Sequence, residues 1–341
     1  MFGFGKMLKD YLELYKISQT DFANKLGISQ KHMNEILNGN TEISSEIILA
    51  INLLTDIDPS LILLAENKRK MYHYLHSNFN TEKEIRQFLK SYHIDELNKR
   101  KWVTFKDIES STQTALDILQ FMNIKNFDLI NKYNDNRILY NKKDDADMLK
   151  VSMWIKRCDN LSKQQTVNQY HKNNLELLIH ELIIEQNKRF NVNQLTQIFN
   201  KYGIYFIVEE PLKGSKIRGG MMIKESNPAI YMTKQCRKKS SFYFALYHEL
   251  GHIKTDYNKA KSKIIIDSEN NDEKLEKKAD IFSLNTMIRE DIWTEIKNNI
   301  DEIEKICKKN NIPVCFATSR LAKEGYISYK SKLYQKYRDS I

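Results

Sequence analysis

The segment YFALYHELGHIK, residues 243–254, constrains the fold of this chain more than any other part of it. His248 and His252 are four positions apart, so on an α-helix they project from one face on adjacent turns. Two imidazole nitrogens placed in this way can each reach one Zn²⁺ at about 2.0–2.1 Å. Glu249 is turned away from them by about 100°, toward the metal-bound water that it would deprotonate. The segment therefore predicts a helix that carries part of a catalytic zinc site.

A catalytic zinc needs a third protein ligand and an open position for water. Glu276, in the segment EKKAD, is the best candidate, and Glu273 one turn earlier is its rival. Asp280, one turn after Glu276, is placed to accept the outer N–H of a ligating histidine and so to fix its tautomer. Ala279 is small enough for this second helix to pack closely on the first. Zinc is the expected cofactor, and Mn²⁺ is an alternative.

A second motif, QTDFANKLGISQKHMNEIL, covers residues 19–37. Its apolar residues fall on one face of each of two predicted helices, and Gly27 permits the positive φ of a tight turn between them. Ser29 can cap the second helix. A small residue at Ala23 lets the two helices cross closely, as a helix-turn-helix requires. The pattern predicts DNA binding, and the alternative is a helical bundle used only for dimerisation.

In a helix-turn-helix the second helix enters the major groove, where Gln30 and Asn34 could pair with adenine edges. Gln19, at the start of the first helix, could meet a phosphate with its side chain and backbone N–H. The expected DNA-contact residues are therefore Gln19, Ser29, Gln30, Lys31 and Asn34.

Composition limits the class of protein. A chain of 341 residues with 41% hydrophobic residues suits two or three packed domains. Its net charge of +10 lies mainly in residues 191–341, while residues 1–70 hold 8 Lys and Arg against 9 Asp and Glu. Charge therefore adds little to the DNA-binding interpretation, which depends on the motif. The absence of a long apolar run, a signal-peptide core or paired cysteines predicts a cytoplasmic protein that does not associate with membranes.

Periodicity predicts a multi-domain fold with three parts. These are an all-α helix-turn-helix bundle over residues 1–76, a helical connecting region over 77–165, and an α+β domain over 166–341. Turns are expected near Asn134–Asn136 and Lys142–Asp145. Three β-branched or aromatic runs predict a small sheet: Ile204–Val208, Met221–Ile223 and Pro228–Thr233. The pair Gly219-Gly220 is expected to separate strands, and the chain after Ser240 to be mostly helical.

The N-terminal motif resembles the Xre-type helix-turn-helix domain. The stretch ISQKHMNEILNGNTEISSEIILAINLL, residues 28–54, is similar to the antitoxin subgroup typified by HigA. This resemblance implies a homodimer that binds operator DNA and represses its own operon, with a toxin as a possible partner.

The segments NPAIYMT, FYFALYHELGHI and EKKADIFSLNTMI resemble the ImmA/IrrE family of metallopeptidases. The resemblance implies a zincin-like fold in which His248, His252 and Glu276 are the metal ligands and Glu249 is the general base. It also implies a regulatory protease that cleaves a transcriptional repressor. Ser283 stands where that family usually has alanine.

These observations favour a DNA-binding transcriptional regulator fused to a zinc metallo-endopeptidase that cleaves a repressor or another regulatory protein. One alternative is an antitoxin or phage repressor whose zinc domain is a sensor or a structural module. Another is a regulator that cleaves its own chain. Ala229–Met232 could hold a substrate peptide by strand addition, and Tyr231, Tyr247 or Tyr257 could donate a hydrogen bond to the oxyanion.

Overall fold

Separate hydrophobic clusters organise the described parts of the chain. The computed structural model describes residues 3–130, 138–139, 147–215, 217–234, 236–261, 263–268 and 273–338. The chain divides into two compact units, Met1–Lys125 and Asn126–Ile341. This division places residues 77–125 with the N-terminal unit. The predicted boundaries after residues 76 and 165 stay predictions.

The described part of the N-terminal unit consists of helices joined by short connections. They are α1 (Phe4–Leu14), α2 (Gln19–Leu26), α3 (Gln30–Leu37), α4 (Ser45–Thr55), α5 (Pro59–Asn78), α6 (Glu82–Lys90), α7 (Ile94–Lys99) and α8 (Ser111–Met122). Helices α1 to α5 share a hydrophobic core. It is formed by Phe4, Leu8, Leu12, Phe22, Ala23, Met33, Ile36, Leu37, Ile48, Ile51 and Ile62.

Side-chain caps explain where the short helices begin. The hydroxyls of Ser18, Ser29 and Ser44 each accept the backbone N–H three residues further on, at the starts of α2, α3 and α4. Gly27 ends α2 with φ 72°, the left-handed conformation predicted for the turn. The serine caps and the left-handed Gly27 together explain the tight turn between α2 and α3.

A buried ion pair on α5 holds the ends of two other helices. Arg69 Nε donates to Glu66 Oε2 at 2.9 Å, and both side chains are less than a tenth exposed. Glu66 also accepts the backbone N–H of Phe4, at the first turn of α1. Arg69 donates to the carbonyl of Gly39, just after α3. The pair thereby satisfies the backbone N–H at the first position of α1, which a helix leaves unpaired, and a carbonyl in the turn that follows α3.

Helix α1 lies directly against the end of α3. A β-carbon on Gly5 would be 2.3 Å from the carbonyl oxygen of Ile36 and 2.6 Å from that of Leu37. No side chain fits in this space, and the atoms opposite are backbone that cannot turn aside. Glycine at position 5 therefore sets how closely the two helices approach.

The C-terminal unit combines helices with a sheet. Its helices are α9 (Met148–Ser162), α10 (Asn174–Glu185), α11 (Val192–Lys201), α12 (Lys239–Ala260), α13 (Glu273–Met287), α14 (Glu290–Asn298), α15 (Ile303–Lys309), α16 (Val314–Lys323) and α17 (Lys332–Lys336), with a 3-10 turn at Ile300–Glu302. The strands are β1 (Ile138–Leu139), β2 (Tyr205–Val208), β3 (Ile217–Lys224), β4 (Asn227–Met232) and β5 (Ile264–Ser268).

The described strands form one sheet in the order β1-β5-β3-β4-β2. Strand β3 is antiparallel to β4 and β5, while β2 is parallel to β4 and β1 is parallel to β5. The three predicted β runs lie in β2, β3 and β4, although β3 begins earlier than expected and contains Gly219 and Gly220. These glycines pair with β4 and β5, so the prediction that they separate two strands is wrong.

Strand β5 was not predicted. Its sequence IIIDS is a short apolar run that alternation cannot distinguish from a buried turn of helix. The predicted turns Asn134–Asn136 and Lys142–Asp145 lie outside the described residues. Within the described ranges, none of the helices has the length and apolar character needed to cross a membrane.

We predict that Gly5→Ala destabilises the N-terminal unit by about 1–3 kcal/mol, because the new methyl group must push α3 away. At an ordinary helix position the same change would stabilise by up to about 1 kcal/mol. Hydrogen exchange of the α3 amides in the full chain measures the effect. Lys6→Ala, at the adjacent exposed position, is the control and should change little. Unchanged or slower exchange in Gly5→Ala would contradict the close contact.

Candidate metal centre and DNA-binding helices

Helix α12 presents two histidines to the interior of the C-terminal unit. His248 and His252 are 3% and 0% exposed. The helix is fixed on its other sides by Leu246, Leu250 and Ile253, which belong to the hydrophobic core. Because apolar side chains anchor the helix on both turns, the imidazole rings are directed to one fixed place.

Three ligand atoms converge at that place. His248 Nε2 lies 3.1 Å from His252 Nε2 and 2.9 Å from Glu276 Oε2. Glu276 Oε1 lies 3.7 Å from His252 Nε2. These three residues form a group that could hold a metal ion. The predicted ligands are therefore neighbours in space, while the side chain of the rival Glu273 lies outside the described residues.

Carboxylates hold the other nitrogen of each ring. His248 Nδ1 lies 2.9 Å from Asp280 Oδ1, and His252 Nδ1 lies 3.3 Å from Asp256 Oδ2. The Thr255 hydroxyl donates to that same Asp256 oxygen at 2.6 Å. When each Nδ1 carries the proton that its carboxylate accepts, each Nε2 presents a lone pair to the common centre.

The electrostatics of the site favour a neutral His252 ring and an ionised Asp280 carboxylate. Burial, and then the charge of His248, lower the pKa of His252. Burial raises the pKa of Asp280, but its hydrogen bond with His248 and the charges of His248, Lys323 and Arg218 outweigh burial, so this pKa lies below its usual value. A neutral imidazole is the form that binds a metal ion.

Close packing of α13 on α12 delivers Glu276 to the histidines. A β-carbon on Gly251 would be 3.0 Å from Cα of Ala279, so the helices meet where both residues are small. The Ser283 hydroxyl donates to the carbonyl of Phe244 at 2.7 Å, one turn further along. Alanine at position 283 could not make this bond. Gly251 therefore makes room for α13.

Glu249 is enclosed between α12 and β3. It is 1% exposed, and a β-carbon on Gly219 would be 2.6 Å from its Oε1 atom. The absence of a side chain at position 219 lets the strand backbone approach the carboxylate. Strand β3 therefore fixes the position of the predicted general base.

The proposed strand addition at Ala229–Met232 is wrong. Strand β4 pairs with β2 on one side and with β3 on the other, so its backbone has no edge for a peptide. Two of the suggested oxyanion donors make other bonds. The hydroxyl of Tyr247 donates to Gln186 Oε1 at 2.9 Å, and that of Tyr257 donates to the carbonyl of Ser226 at 2.8 Å. Tyr231 is fully buried.

The roles of Asp256 and Gly219 were not predicted from the sequence. Asp256 follows His252 by four residues, so the helical spacing that paired the histidines also places this carboxylate beside the second one. That signal was present in HELGHIKTD. The role of Gly219 depends on strand pairing across distant parts of the chain, and no local pattern indicates it.

The predicted DNA-contact residues lie at the start and on the outer face of the second motif helix. Gln30, Lys31 and Asn34 of α3 are exposed, and Met33 and Ile36 bury the opposite face. Ser29, the cap of α3, is also exposed, and its hydroxyl accepts the His32 N–H at 3.1 Å. Gln19 is half-buried at the first position of α2. The arrangement gives α3 one polar face for a groove.

A family model described as a helix-turn-helix matches residues 8–62. The match agrees with the observed α2–turn–α3 geometry and supports a DNA-binding regulator with an Xre-type domain at its N-terminus. No curated protein matches the chain.

We predict that Asp256→Ala lowers the affinity for Zn²⁺ by about 10–100-fold, because His252 loses the partner that orients its ring. Competition against a chromophoric chelator measures this affinity. Asp256→Asn keeps an oxygen that accepts the Nδ1 proton and should lose less. Asp301→Ala, at an exposed acidic position, is the control. Equal zinc affinity in Asp256→Ala and wild type would contradict the orienting role.

Proposed function

We propose that this DNA-binding regulator is also a zinc-dependent endopeptidase that cleaves a repressor or another regulatory protein. The observation that carries the proposal is the convergence of His248 Nε2, His252 Nε2 and a Glu276 oxygen. Glu249, the residue after His248 on α12, is 1% exposed. A hydrolytic site needs such a carboxylate as a general base.

The donor set fits zinc. Two neutral imidazoles and one carboxylate are the ligands of many catalytic zinc sites, and three protein ligands leave a fourth position open. The carboxylates of Asp256 and Asp280, which bond to the Nδ1 atoms, would keep the Nε2 lone pairs directed to the ion. Mn²⁺ is compatible with the same nitrogen and oxygen donors, so zinc and manganese both enter the test.

When bound, the ion would lower the pKa of a water molecule to about 7 and polarise the scissile carbonyl. Glu249 accepts the proton of the attacking water and then passes it to the leaving amine. Burial of this carboxylate between α12 and β3 keeps it at one position through both transfers. The histidines and Glu276 would hold the ion without taking part in proton transfer.

The helix-turn-helix supports a regulatory protein as the substrate. A domain that binds an operator raises the local concentration of the attached peptidase around repressors on the same DNA. Two-fold operators contain two half-sites, so we infer that the chain acts as a homodimer. An ordinary degradative protease gains nothing from such a domain.

The test compares wild type with Glu249→Gln after loading with Zn²⁺ or Mn²⁺. A peptide library with blocked termini, read by mass spectrometry, reports cleavage, and the intact mass of the protein reports self-cleavage. We predict that Glu249→Gln binds one ion per chain but loses at least about 100-fold in kcat/KM. The double variant His248→Ala/His252→Ala should lose both the ion and cleavage. A metal-loaded wild type that cleaves neither peptides nor itself would contradict the peptidase and favour a sensor.

A separate prediction concerns the N-terminal unit. Gln30→Ala and Asn34→Ala should each weaken binding to duplexes that the wild type selects from a random pool, by about 1–3 kcal/mol. Fluorescence anisotropy measures the affinity. Gln87→Ala, an exposed glutamine on α6, is the matched control and should leave it unchanged. Normal affinity in both α3 variants would contradict base contacts by this helix.

A further inference from the structure

A cavity of about 350 Å³ lies between α10 and α12, on the part of α12 that follows the metal ligands. Its lining comes from both helices and from the segment that leads into α10. His248, Glu249 and His252 are not among the described residues that line it. The volume is near the lower end of the range of about 300–1000 Å³ that small-molecule sites occupy. The cavity is therefore a candidate ligand site that is distinct from the metal centre.

The floor of the cavity belongs to the hydrophobic core. Leu175 and Ile253 are members of that core and are 6% and 2% exposed, and Ile179 packs against it. Because packing on the interior fixes these side chains, the fold itself sets the shape of the floor. Such a floor can cover the apolar surface of a ligand.

Two stacked tyrosines form one wall. The ring centroids of Tyr170 and Tyr257 are 5.9 Å apart, and the ring planes differ by 18°. The backbone N–H of Tyr170 donates to Asn227 Oδ1 at 3.2 Å, and the hydroxyl of Tyr257 donates to the carbonyl of Ser226 at 2.8 Å. Both tyrosines are thus anchored where β3 turns into β4. A fixed pair of aromatic rings is a surface on which a planar heterocycle can stack.

Lysines outnumber acidic residues around this wall. Lys172 and Lys254 line the cavity and are exposed, and Lys261 Nζ lies 5.4 Å from the ring centroid of the second tyrosine. Lys254 holds its Nζ 5.3 Å from the ring centroid of Phe282, so Lys172 and Lys261 are better placed to meet a ligand. Glu176 is the one acidic residue among the described residues of the lining. The excess of positive charge favours an anionic ligand.

Neutral polar groups complete the lining. Asn173, Thr255 and Asn258 line the cavity and are exposed. Each amide offers both hydrogen-bond donors and an acceptor. The edge of a nucleobase also carries donors and acceptors, whereas a hydrocarbon ring carries neither. The polar lining therefore favours a heterocycle over a hydrocarbon.

We propose that this cavity binds a free mononucleotide. The base stacks on Tyr170 and Tyr257, and the phosphate meets Lys172 and Lys261. Such a ligand is neither operator DNA nor a peptide substrate. One base with one phosphate suits a cavity of this volume, whereas a nucleic-acid strand needs a groove that follows several phosphates. A single nucleotide of such a strand has the same chemistry, and the experiment separates these two sources.

The experiment titrates the full chain with the four ribonucleoside 5′-monophosphates by isothermal calorimetry. The tightest of them is then compared with its own nucleoside, with ribose 5-phosphate and with inorganic phosphate. We expect this mononucleotide to bind at least about tenfold more tightly than each of the three, because only it makes both the stacking and the charge contacts. Cleavage is not measured, so the result does not depend on the peptidase.

Variants locate the ligand in the cavity. Tyr170→Leu removes one ring and should weaken mononucleotide binding by about tenfold or more, whereas Tyr170→Phe keeps the ring and should stay within about threefold of wild type. Lys172→Gln, at an exposed position that folding does not need, should weaken the mononucleotide by about threefold or more and leave its nucleoside within about twofold. Tyr15→Leu and Lys305→Gln, at exposed positions elsewhere, are the matched controls and should change neither affinity.

Each contrary result overturns the inference. Binding of none of the four mononucleotides at about 1 mM excludes the ligand class. Equal affinity for ribose 5-phosphate or inorganic phosphate shows an anion site without stacking. Normal affinity in both Tyr170→Leu and Lys172→Gln places the ligand elsewhere. Tighter binding of a single-stranded deoxyoligonucleotide, weakened by Tyr170→Leu, assigns the cavity to nucleic acid.

Discussion

The contact between Gly251 and Ala279 is the constraint on which the candidate metal centre depends. It allows two helix backbones to approach until a β-carbon on the glycine would be 3.0 Å from the facing Cα. Only at that separation does Glu276, one turn earlier on α13, reach the nitrogens of His248 and His252. A larger side chain at either contact position would move a ligand without touching the site, so the chemistry of the centre is decided by the smallest residues near it.

The parts of the site that follow from helical spacing were predicted from the sequence. The separation of His248 and His252 by four residues fixes a common face, and Glu276 and Asp280 repeat that spacing on the next helix. The three predicted ligand residues lie together in the structure. Asp256 obeys the same rule and was within reach of the same reasoning. Such pairs can be predicted from the sequence because the direction of a side chain on a helix depends only on its position in that helix.

The parts that depend on strand pairing were not predictable in this way. The sequence PAIYMT correctly predicts a strand, but its central position in the sheet is set by β2 and β3, which lie elsewhere in the chain. The prediction that β4 binds a substrate peptide at a free edge was therefore wrong, because β4 is paired on both sides. Ile217 of β3 pairs with Ser268 of β5 but Gly219 pairs with Asp267, so β3 has one extra residue there. This irregularity could not be predicted, because β5 is too short to identify from the sequence. Local patterns specify elements, whereas register and neighbours are properties of the assembled sheet.

The ion pair of Glu66 and Arg69 has a consequence for dividing the molecule. Similarity to known helix-turn-helix domains ends at residue 62, yet these two side chains secure the first turn of α1 and the end of α3. A fragment cut where the similarity ends would retain the motif but release both helix ends to solvent. The smallest segment that keeps both of these backbone groups bonded therefore extends beyond residue 62, to at least Arg69. The domain boundary depends on the hydrogen bonds that buried backbone groups need, and similarity of sequence does not reveal these bonds.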